Sequence, residues 1–452
     1  METRESIPMT RPKSDVSAAV GLVGLAGLFA WVLFARAYPE IATGLDLPGP
    51  REVMSGPHAA LVGLFAAALP MALWSVVVEK VHRRPSTGLD WSLGRTRKPD
   101  RSDTLIKLIG LWATWAIIAA LYCLCRWYWS GNYLFSMRVL GYAAIPLMVL
   151  SVPYVFWIDR YMVNPRDHAW HFGALLVRKT GWQVDEVKAH WRSWIIKAFF
   201  TAFMISIIPF AFRNVVEADF GLLAKRPEQL ALMIIEAMFM VDVMIGTVGY
   251  IVTMRPLDAH IRSGNPFLAG WVAALICYPP IVWGILGEGK AINYELGTPG
   301  WIFWLEGNDL ALAAWGALLV VLTAFYAWAT FAFGLRFSNL TYRGVLTNGP
   351  YRFTRHPAYV SKNLFWWCAT LPFLVQDGSW VETIRNCFFL LVVNAIYFWR
   401  ARTEEAHLLR EDAKYREYHA YMAQHGLLTA PLTRLQRLVW KPRAALAPQP
   451  AE

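Results

Sequence analysis

Apolar stretches of about twenty residues recur along the chain, and short segments rich in Lys, Arg, Gly and Pro separate them. A helical stretch of this length crosses the hydrocarbon core of a bilayer, because each helical residue adds about 1.5 Å. The pattern therefore predicts an all-α fold, a polytopic transmembrane helical bundle with about ten spans. The predicted spans cover residues 18–36, 58–78, 105–126, 139–158, 194–212, 230–253, 267–286, 309–333, 361–376 and 383–400.

Composition supports an integral membrane protein, since 56% of the 452 residues are hydrophobic and 23 of them are Trp. Most of the 43 Lys and Arg residues fall in segments that this map places on one side, together with both termini. The positive-inside rule then predicts that both termini face the cytoplasm. The net charge of +11 is explained by contact with anionic lipid, so no nucleic-acid partner is expected.

The polar segments divide the chain into three predicted regions. Residues 1–300 are expected to form an N-terminal transmembrane bundle of unknown role, with a basic cytoplasmic loop at 80–107 and a Trp-rich, interfacial one at 159–193. Residues 301–432 are expected to form a C-terminal core. Residues 433–452 lose periodicity and end in an Ala- and Pro-rich stretch, which predicts a flexible tail.

Two polar clusters in the predicted core are the strongest candidates for chemistry. The first covers residues 347–359 and the second residues 400–405, with apolar runs at 364–375 and 386–399 between them. These runs predict a helical hairpin that folds back and brings the clusters together. Charged residues at a membrane boundary are costly and usually functional, so the clusters predict a site on the cytoplasmic side.

The order of short motifs in these clusters resembles a known family. Gly349-Pro350-Tyr351 is followed by Arg355-His356-Pro357-Ala358-Tyr359, then by Arg400 with Glu404-Glu405, and last by the Tyr-rich stretch 414–418. This order is similar to the C-terminal core of the isoprenylcysteine carboxyl methyltransferase family and its relatives, the membrane phospholipid N-methyltransferases. The resemblance implies a methyltransferase core with S-adenosyl-L-methionine as cofactor.

The resemblance also implies roles for individual residues. Arg400 is expected to face the acceptor and Glu404 to bind the cofactor, whereas Glu405 is expected to point elsewhere and to support the turn. Arg400 and Glu404 share one helix face, because four residues separate them. The residues implied to line the cofactor are Arg343, Gly344, Val345, Leu346, Tyr351, His356, Pro357, Ala358, Tyr359 and Glu404.

The acceptor implied by the resemblance is a membrane lipid or a lipidated molecule that enters from the bilayer and presents a carboxyl, amine or thiol. A general base is needed only if the acceptor carries a proton, and a carboxylate needs only an orienting cation such as Arg400. Two alternatives stay open. One is an NADPH-dependent reductase of the sterol C14-reductase type, and the other is a non-enzymatic lipid-binding or transport protein.

Other polar residues give weaker signals. Glu236 and Asp242 lie within the sixth predicted span, and they could pair with Lys197 or Arg213 or line a lipid-access cavity. His168 and His171 have a spacing that a metal could use, but no third ligand is evident, so no metal site is predicted. Lys362 and Asn363 depart from the family pattern, which has a small residue after the His-Pro-x-Tyr turn.

Overall fold

The computed structural model describes residues 10–223, 226–287 and 289–439, and these are mostly helical. In chain order the helices are α1 Ala18–Gly44, α2 Pro57–Leu73, α3 Leu93–Thr96, α4 Arg101–Leu124, α5 Tyr133–Asp159, α6 His168–Leu176, α7 Val184–Val216, α8 Phe220–Leu223, α9 Pro227–Ile251, α10 Leu268–Leu275, α11 Ile281–Ile285, α12 Trp301–Leu305, α13 Asp309–Phe331, α14 Pro357–Thr370, α15 Trp380–Glu411, α16 Ala413–His425 and α17 Thr429–Val439. The predicted all-α bundle is confirmed.

Eight of these helices are long and apolar enough to cross a membrane. They are α1, α2 together with the π-helical turn Trp74–Val78 that continues it, α4, α5, α7, α9, α13 and α15. Polar side chains cap the N-termini of several of these helices. At the N-cap of α4, the Asp100 carboxylate accepts a hydrogen bond from the N–H of Ser102 at 2.9 Å. Asn308 does the same for Ala311 at 3.0 Å before α13. Such caps satisfy N–H groups that have no partner within the helix.

The seventh predicted span is not a continuous helix, and the ninth is a short helix that ends before Pro372. The seventh is divided into α10 and α11, because Pro279 and Pro280 between them cannot donate backbone hydrogen bonds to a helix. The ninth is the short α14, which ends where Leu371 adopts a left-handed conformation with φ of 50°. Leu371 precedes Pro372, and a residue before proline avoids the helical region.

Both short segments nevertheless connect opposite ends of the bundle. At the end where α13 begins, Gln376 N–H donates to the carbonyl of Gly297 at 3.0 Å. At the end where α13 stops, strand β1 (Ser263–Gly264) pairs antiparallel with strand β2 (Thr341–Tyr342). The chain therefore crosses from one end to the other between residues 264 and 297, and again through α14.

The N-terminal bundle packs directly on the segment that leads into the predicted site. A Cβ atom on Gly249 of α9 would lie 2.3 Å from the carbonyl oxygen of Phe337, so only glycine allows this approach. Asn265 N–H extends the strand pairing by donating to the Leu340 carbonyl at 2.7 Å. These contacts hold residues 337–342 against α9 and β1. Residues 337–342 belong to the predicted C-terminal core, whereas α9 and β1 belong to the predicted N-terminal bundle.

The predicted flexible tail begins with ordered structure. Residues 433–439 belong to α17, so the tail prediction is wrong for them. Residues 440–452 lie outside the part of the chain that the structure describes. The two predicted loops also contain helices: α3 and the start of α4 lie in 80–107, and α6 and the start of α7 lie in 159–193.

Candidate active site

One cavity lies where the polar clusters meet, at the end of the bundle that carries β1 and β2. Every residue that the sequence analysis placed at the cofactor, and Arg400 with them, lines this cavity. They come from the 343–351 segment, the start of α14 and the later part of α15. The hairpin of α14 and α15 therefore brings the two clusters together. The lining residues from these groups are Arg343, Gly344, Val345, Leu346, Tyr351, His356, Pro357, Ala358, Tyr359, Arg400 and Glu404.

Arg400 and Glu404 form an ion pair on one face of α15. Nε of Arg400 lies 3.2 Å from Oε1 of Glu404, which also accepts a hydrogen bond from the Tyr359 hydroxyl. The Arg400 guanidinium lies over the Tyr359 ring, 5.2 Å from its centroid. The arginine is therefore held in one orientation, and the carboxylate keeps one oxygen without a protein donor among the described residues.

Residues outside the family motifs fix the other edge of Arg400. Nη2 of Arg400 donates to Oδ1 of Asn339 at 2.6 Å and lies 3.5 Å from the Tyr278 hydroxyl. The Asn339 amide in turn donates to the hydroxyls of Tyr250 at 2.7 Å and Tyr278 at 2.9 Å. Tyr250 and Tyr278 belong to residues 1–300, so the N-terminal bundle supplies one wall of the site.

Glu405 has a larger role than the support of a turn. It is buried, with a side chain 4% exposed, and four basic groups surround it. Its Oε1 lies 3.0 Å from Nε2 of His356 and 3.0 Å from Nε of Arg355. Its Oε2 lies 2.8 Å from Nη1 of Arg402 and 3.7 Å from Nε2 of His419. Glu405 thus holds the His-Pro turn and also ties α15 and α16 to it.

The His-Pro turn places two aromatic rings beside the ion pair. The rings of His356 and Tyr359 are stacked, with centroids 5.6 Å apart and an interplanar angle of 5°. α14 begins at Pro357, whose missing N–H costs nothing at the first position of a helix. The turn therefore directs both rings toward the cavity.

The backbone of residues 343–346 forms the opposite wall, and an N-terminal segment holds it. Gly344 has φ of 116°, and a Cβ there would lie 2.4 Å from Nη1 of Arg336. The N–H of Val345 donates to Oδ2 of Asp15 at 2.7 Å. Nζ of Lys414 lies 2.5 Å from Oδ1 of Asp15, so this carboxylate connects the chain's beginning, the 343–346 wall and α16.

The Arg343 side chain is occupied by the protein itself. Its guanidinium donates to the backbone carbonyls of Gly249 at 2.8 Å, Phe337 at 2.9 Å, Leu335 at 2.8 Å and Val252 at 3.1 Å, and also to that of Ala259. Burial lowers the pKa of Arg343 to about 9, and the neighbouring Arg336 adds to this, but the group remains a cation at pH 7. Both terminal nitrogens of Arg343 are therefore engaged by backbone carbonyls, and only its Nε lacks a partner among the described residues.

Arg355 is a cavity-lining cation with a nitrogen to spare. It is mostly buried, with a side chain 13% exposed, and lines the cavity. Its Nη1 atom has no hydrogen-bond partner among the residues that the structure describes. A buried guanidinium nitrogen without a partner is costly, so this atom marks a place for an anionic ligand group.

Sequence reasoning missed a second group of residues deeper in the cavity. Lys362 and Tyr326 line the wall, and Nζ of Lys362 lies 5.6 Å from the centroid of the Tyr326 ring. The Tyr326 hydroxyl donates to Oδ2 of Asp242 at 2.9 Å, and the Thr330 hydroxyl donates to Oδ1 at 2.5 Å. The departure of Lys362 from the family pattern was the available signal, but nothing in the sequence linked it to Tyr326.

The pairings suggested for the acids of the sixth span are wrong. Asp242 contacts two hydroxyls of α13, and neither Lys197 nor Arg213 is its partner. Lys197 lies over the Trp194 ring, 4.0 Å from its centroid, and Arg213 pairs with Glu217. Glu236 is exposed on the surface of α9. His168 pairs with Glu186 at 2.5 Å, and no group of three metal-binding side chains occurs in the described ranges.

The fold and site define a polytopic helical membrane protein with a polar cavity between its last helices. Residues 310–410 match the model of the isoprenylcysteine carboxyl methyltransferase (ICMT) family. The resemblance predicted from the motifs is confirmed for this region, and the match supports a membrane methyltransferase. No curated protein and no solved structure gives a match.

Proposed function

We propose that this protein is an integral-membrane methyltransferase that uses S-adenosyl-L-methionine and acts on a lipid or a lipidated acceptor. The observation that carries this proposal is the single cavity around which both polar clusters meet. The family match supports the methyltransferase class, and the chemistry of the lining residues supports the cofactor.

The donor set fits the proposed cofactor. The oxygen of Glu404 without a protein donor can accept from its amine or its ribose hydroxyls. The unpartnered Nη1 of Arg355 suits its carboxylate, because guanidinium and carboxylate form strong charge-assisted bonds. The stacked rings of His356 and Tyr359 offer flat faces for adenine or for the positive sulfonium.

The chain's own residues position the reactants and exclude water. When bound, the cofactor supplies an activated methyl group, so the protein mainly aligns the acceptor and keeps the site dry. Arg400 is fixed by Glu404 on one edge and by Asn339 on the other, which leaves it rigid enough to orient an acceptor. Tyr415 and Tyr418 of α16 line the cavity near the 343–346 wall and cover its polar end.

The acceptor is proposed to enter from the bilayer, since the cavity extends between α13, α14 and α15. Tyr326, Lys362 and Tyr397 line this part, and all three lie on helices surrounded by apolar positions. The cofactor is proposed to enter from the cytoplasm at the polar end. This arrangement lets a water-soluble methyl donor and a lipophilic acceptor meet without either crossing the membrane.

Titration calorimetry on the purified protein tests the proposal. S-adenosylhomocysteine, the demethylated cofactor product, is expected to bind, and NADPH is not. A matched pair of variants sharpens the assignment: Glu404→Gln removes a charge in the cavity, whereas Glu411→Gln removes one on the same helix outside the lining residues. Binding of NADPH without binding of S-adenosylhomocysteine would instead favour the reductase.

A further inference from the structure

A hydrogen-bonded route connects the cavity to a carboxylate inside the membrane bundle. Tyr326 lines the cavity, and its hydroxyl donates to Oδ2 of Asp242, 2.9 Å away on α9. Asp242 itself is not among the residues that line the cavity. The tyrosine therefore stands between the cavity and the acid.

Two hydroxyls hold the Asp242 carboxyl in place. Tyr326 lies beside Oδ2 and Thr330 beside Oδ1. A hydroxyl can both donate and accept, so the Tyr326 hydroxyl can pass a proton to this carboxyl and take one up from the other side. A charge at this depth is costly, and such residues are functional by default.

A cation accompanies this carboxylate on the cavity wall. Nζ of Lys362 lies 5.6 Å from the Tyr326 ring centroid and 5.7 Å from that of Tyr397. Lys362 has no carboxylate within ion-pair distance among the described residues, so its charge is directed at the cavity and at the Tyr326 ring.

We propose that Asp242 and Tyr326 form a proton relay, and that the acceptor is a membrane-soluble molecule whose methyl-accepting atom carries a proton, such as an amine, thiol or phenol. The inference rests on the proposed methyltransferase function and narrows its acceptor class. A carboxylate acceptor reacts as an anion and needs no base, so the relay would have no use with it.

The proton and electron balance is simple. The lone pair of the acceptor atom forms the new bond to the methyl carbon while the carbon–sulfur bond of the donor breaks and the sulfur keeps that electron pair. The acceptor proton passes to Oη of Tyr326 as the tyrosine proton passes to Oδ2 of Asp242. The proton returns by the same route to water once the products have left the cavity.

A coloured probe tests the relay without any methyl transfer. A long-chain nitrophenol is added with S-adenosylhomocysteine, at a pH below the range in which the probe ionises in water. Wild-type protein is expected to hold it as the yellow phenolate. The titratable groups that line the cavity together with Tyr326 include Lys362, Tyr278, Tyr397, Arg400, Glu404 and His356, and Asp242 lies behind Tyr326. The same titration is therefore repeated in variants of Tyr326 and Asp242.

Three variants separate the relay from packing. Tyr326→Phe keeps the ring but removes the oxygen, and Asp242→Asn keeps the shape but removes the charge; each is expected to lower the bound phenolate fraction roughly tenfold. Thr323→Val removes a buried hydroxyl of the same helix as Tyr326 that donates to the Leu319 carbonyl and lies outside the cavity lining, and it is expected to retain the colour. Equal loss in all three variants, or full colour in Tyr326→Phe, overturns the relay.

Methyl transfer gives a second readout. With a long-chain thiol as acceptor, Tyr326→Phe and Asp242→Asn are expected to slow transfer roughly a hundredfold. Transfer to a fatty acid of equal length but not to the thiol would overturn the proposed acceptor class. Binding of S-adenosylhomocysteine, measured on the same samples, distinguishes the two proposals: if it binds and the relay outcomes fail, the acceptor class alone is wrong.

Discussion

The carboxylate of Asp15 accepts the backbone N–H of Val345 at 2.7 Å, across 330 residues of sequence. The Asp15 N–H donates back to the Val345 carbonyl at 2.9 Å, and Lys414 pairs with the other carboxylate oxygen. The N-terminal segment thus braces the wall of the cavity that the family motifs define.

Asp15→Ala is expected to weaken binding of S-adenosylhomocysteine. The effect is indirect, because Asp15 holds the 343–346 wall and is not expected to contact the ligand itself. Loss of a charge-assisted hydrogen bond costs about 1.5–3 kcal/mol, and part of this is recovered when the loosened 343–346 wall relaxes. We expect about a three- to tenfold rise in Kd, measured by calorimetry. Lys414→Met is the control, since it removes the ion pair but keeps the bond to Val345. Equal effects of both variants would show that the ion pair, not the wall, is decisive.

The same residue predicts a pH dependence of stability. Burial would raise the pKa of Asp15, but hydrogen bonds from Lys414 and the Val345 N–H outweigh it, so the pKa lies below its ordinary value of 3.8. A carboxyl with a depressed folded-state pKa stabilises the fold above its unfolded pKa, and the contribution is lost as the pH falls through the folded pKa. The Tm difference between wild type and Asp15→Asn should be constant near neutral pH and shrink below about pH 4. A difference that grows with acidity would contradict this.

Substitution of Arg343 is expected to lower the stability of the fold rather than the affinity for the cofactor alone. Arg343→Met leaves five carbonyls without this donor, three of them at buried contacts, and each unsatisfied buried group costs about 1–3 kcal/mol. We expect a sharp fall in Tm or no folded protein at all. Arg343→Lys should recover only part of the loss, because an ammonium cannot reach carbonyls on so many sides. If a variant kept the wild-type Tm but lost cofactor binding, the Arg343 side chain would be a cofactor-binding group after all.

Glu404 and Arg400 are expected to separate binding from turnover, although they form an ion pair. Glu404→Gln should weaken binding of S-adenosylhomocysteine roughly ten- to a hundredfold, because a charge-assisted hydrogen bond of about 1.5–3 kcal/mol is lost. Arg400→Ala should leave that affinity nearly intact and abolish methyl transfer. Arg400→Lys should restore little, since a point charge does not replace the planar fork that also contacts Asn339. Equal loss of affinity in both alanine and glutamine variants would refute the division of roles.

Sidedness is tested by cysteine labelling in intact cells. Asn348 is a poor probe position, because its side chain donates to the Val16 carbonyl at 2.8 Å. Glu417 and Ser130 are exposed and lie at opposite ends of the bundle. In a background without Cys123 and Cys125, Glu417→Cys should react with an impermeant reagent only after permeabilisation, and Ser130→Cys should react before it. The reverse result would place the cavity on the outer side.

The sequence by itself determined the helical bundle, the motif residues of the cavity and the hairpin that joins them. Runs of apolar residues must become helices in a bilayer, since no water is there to satisfy their backbone. The Arg400–Glu404 pair was readable for a similar reason, because residues four apart on a helix share a face.

Only the tertiary structure decided which distant residues complete the cavity. No fixed spacing along the sequence predicts that Asp15 contacts Val345, that Tyr278 contacts Arg400 or that Asp242 contacts Tyr326. These contacts depend on how whole helices pack, on the backbone approach that Gly249 permits and on the broken seventh span. Local chemistry therefore fixed what each element is, and packing between elements fixed which side chains meet.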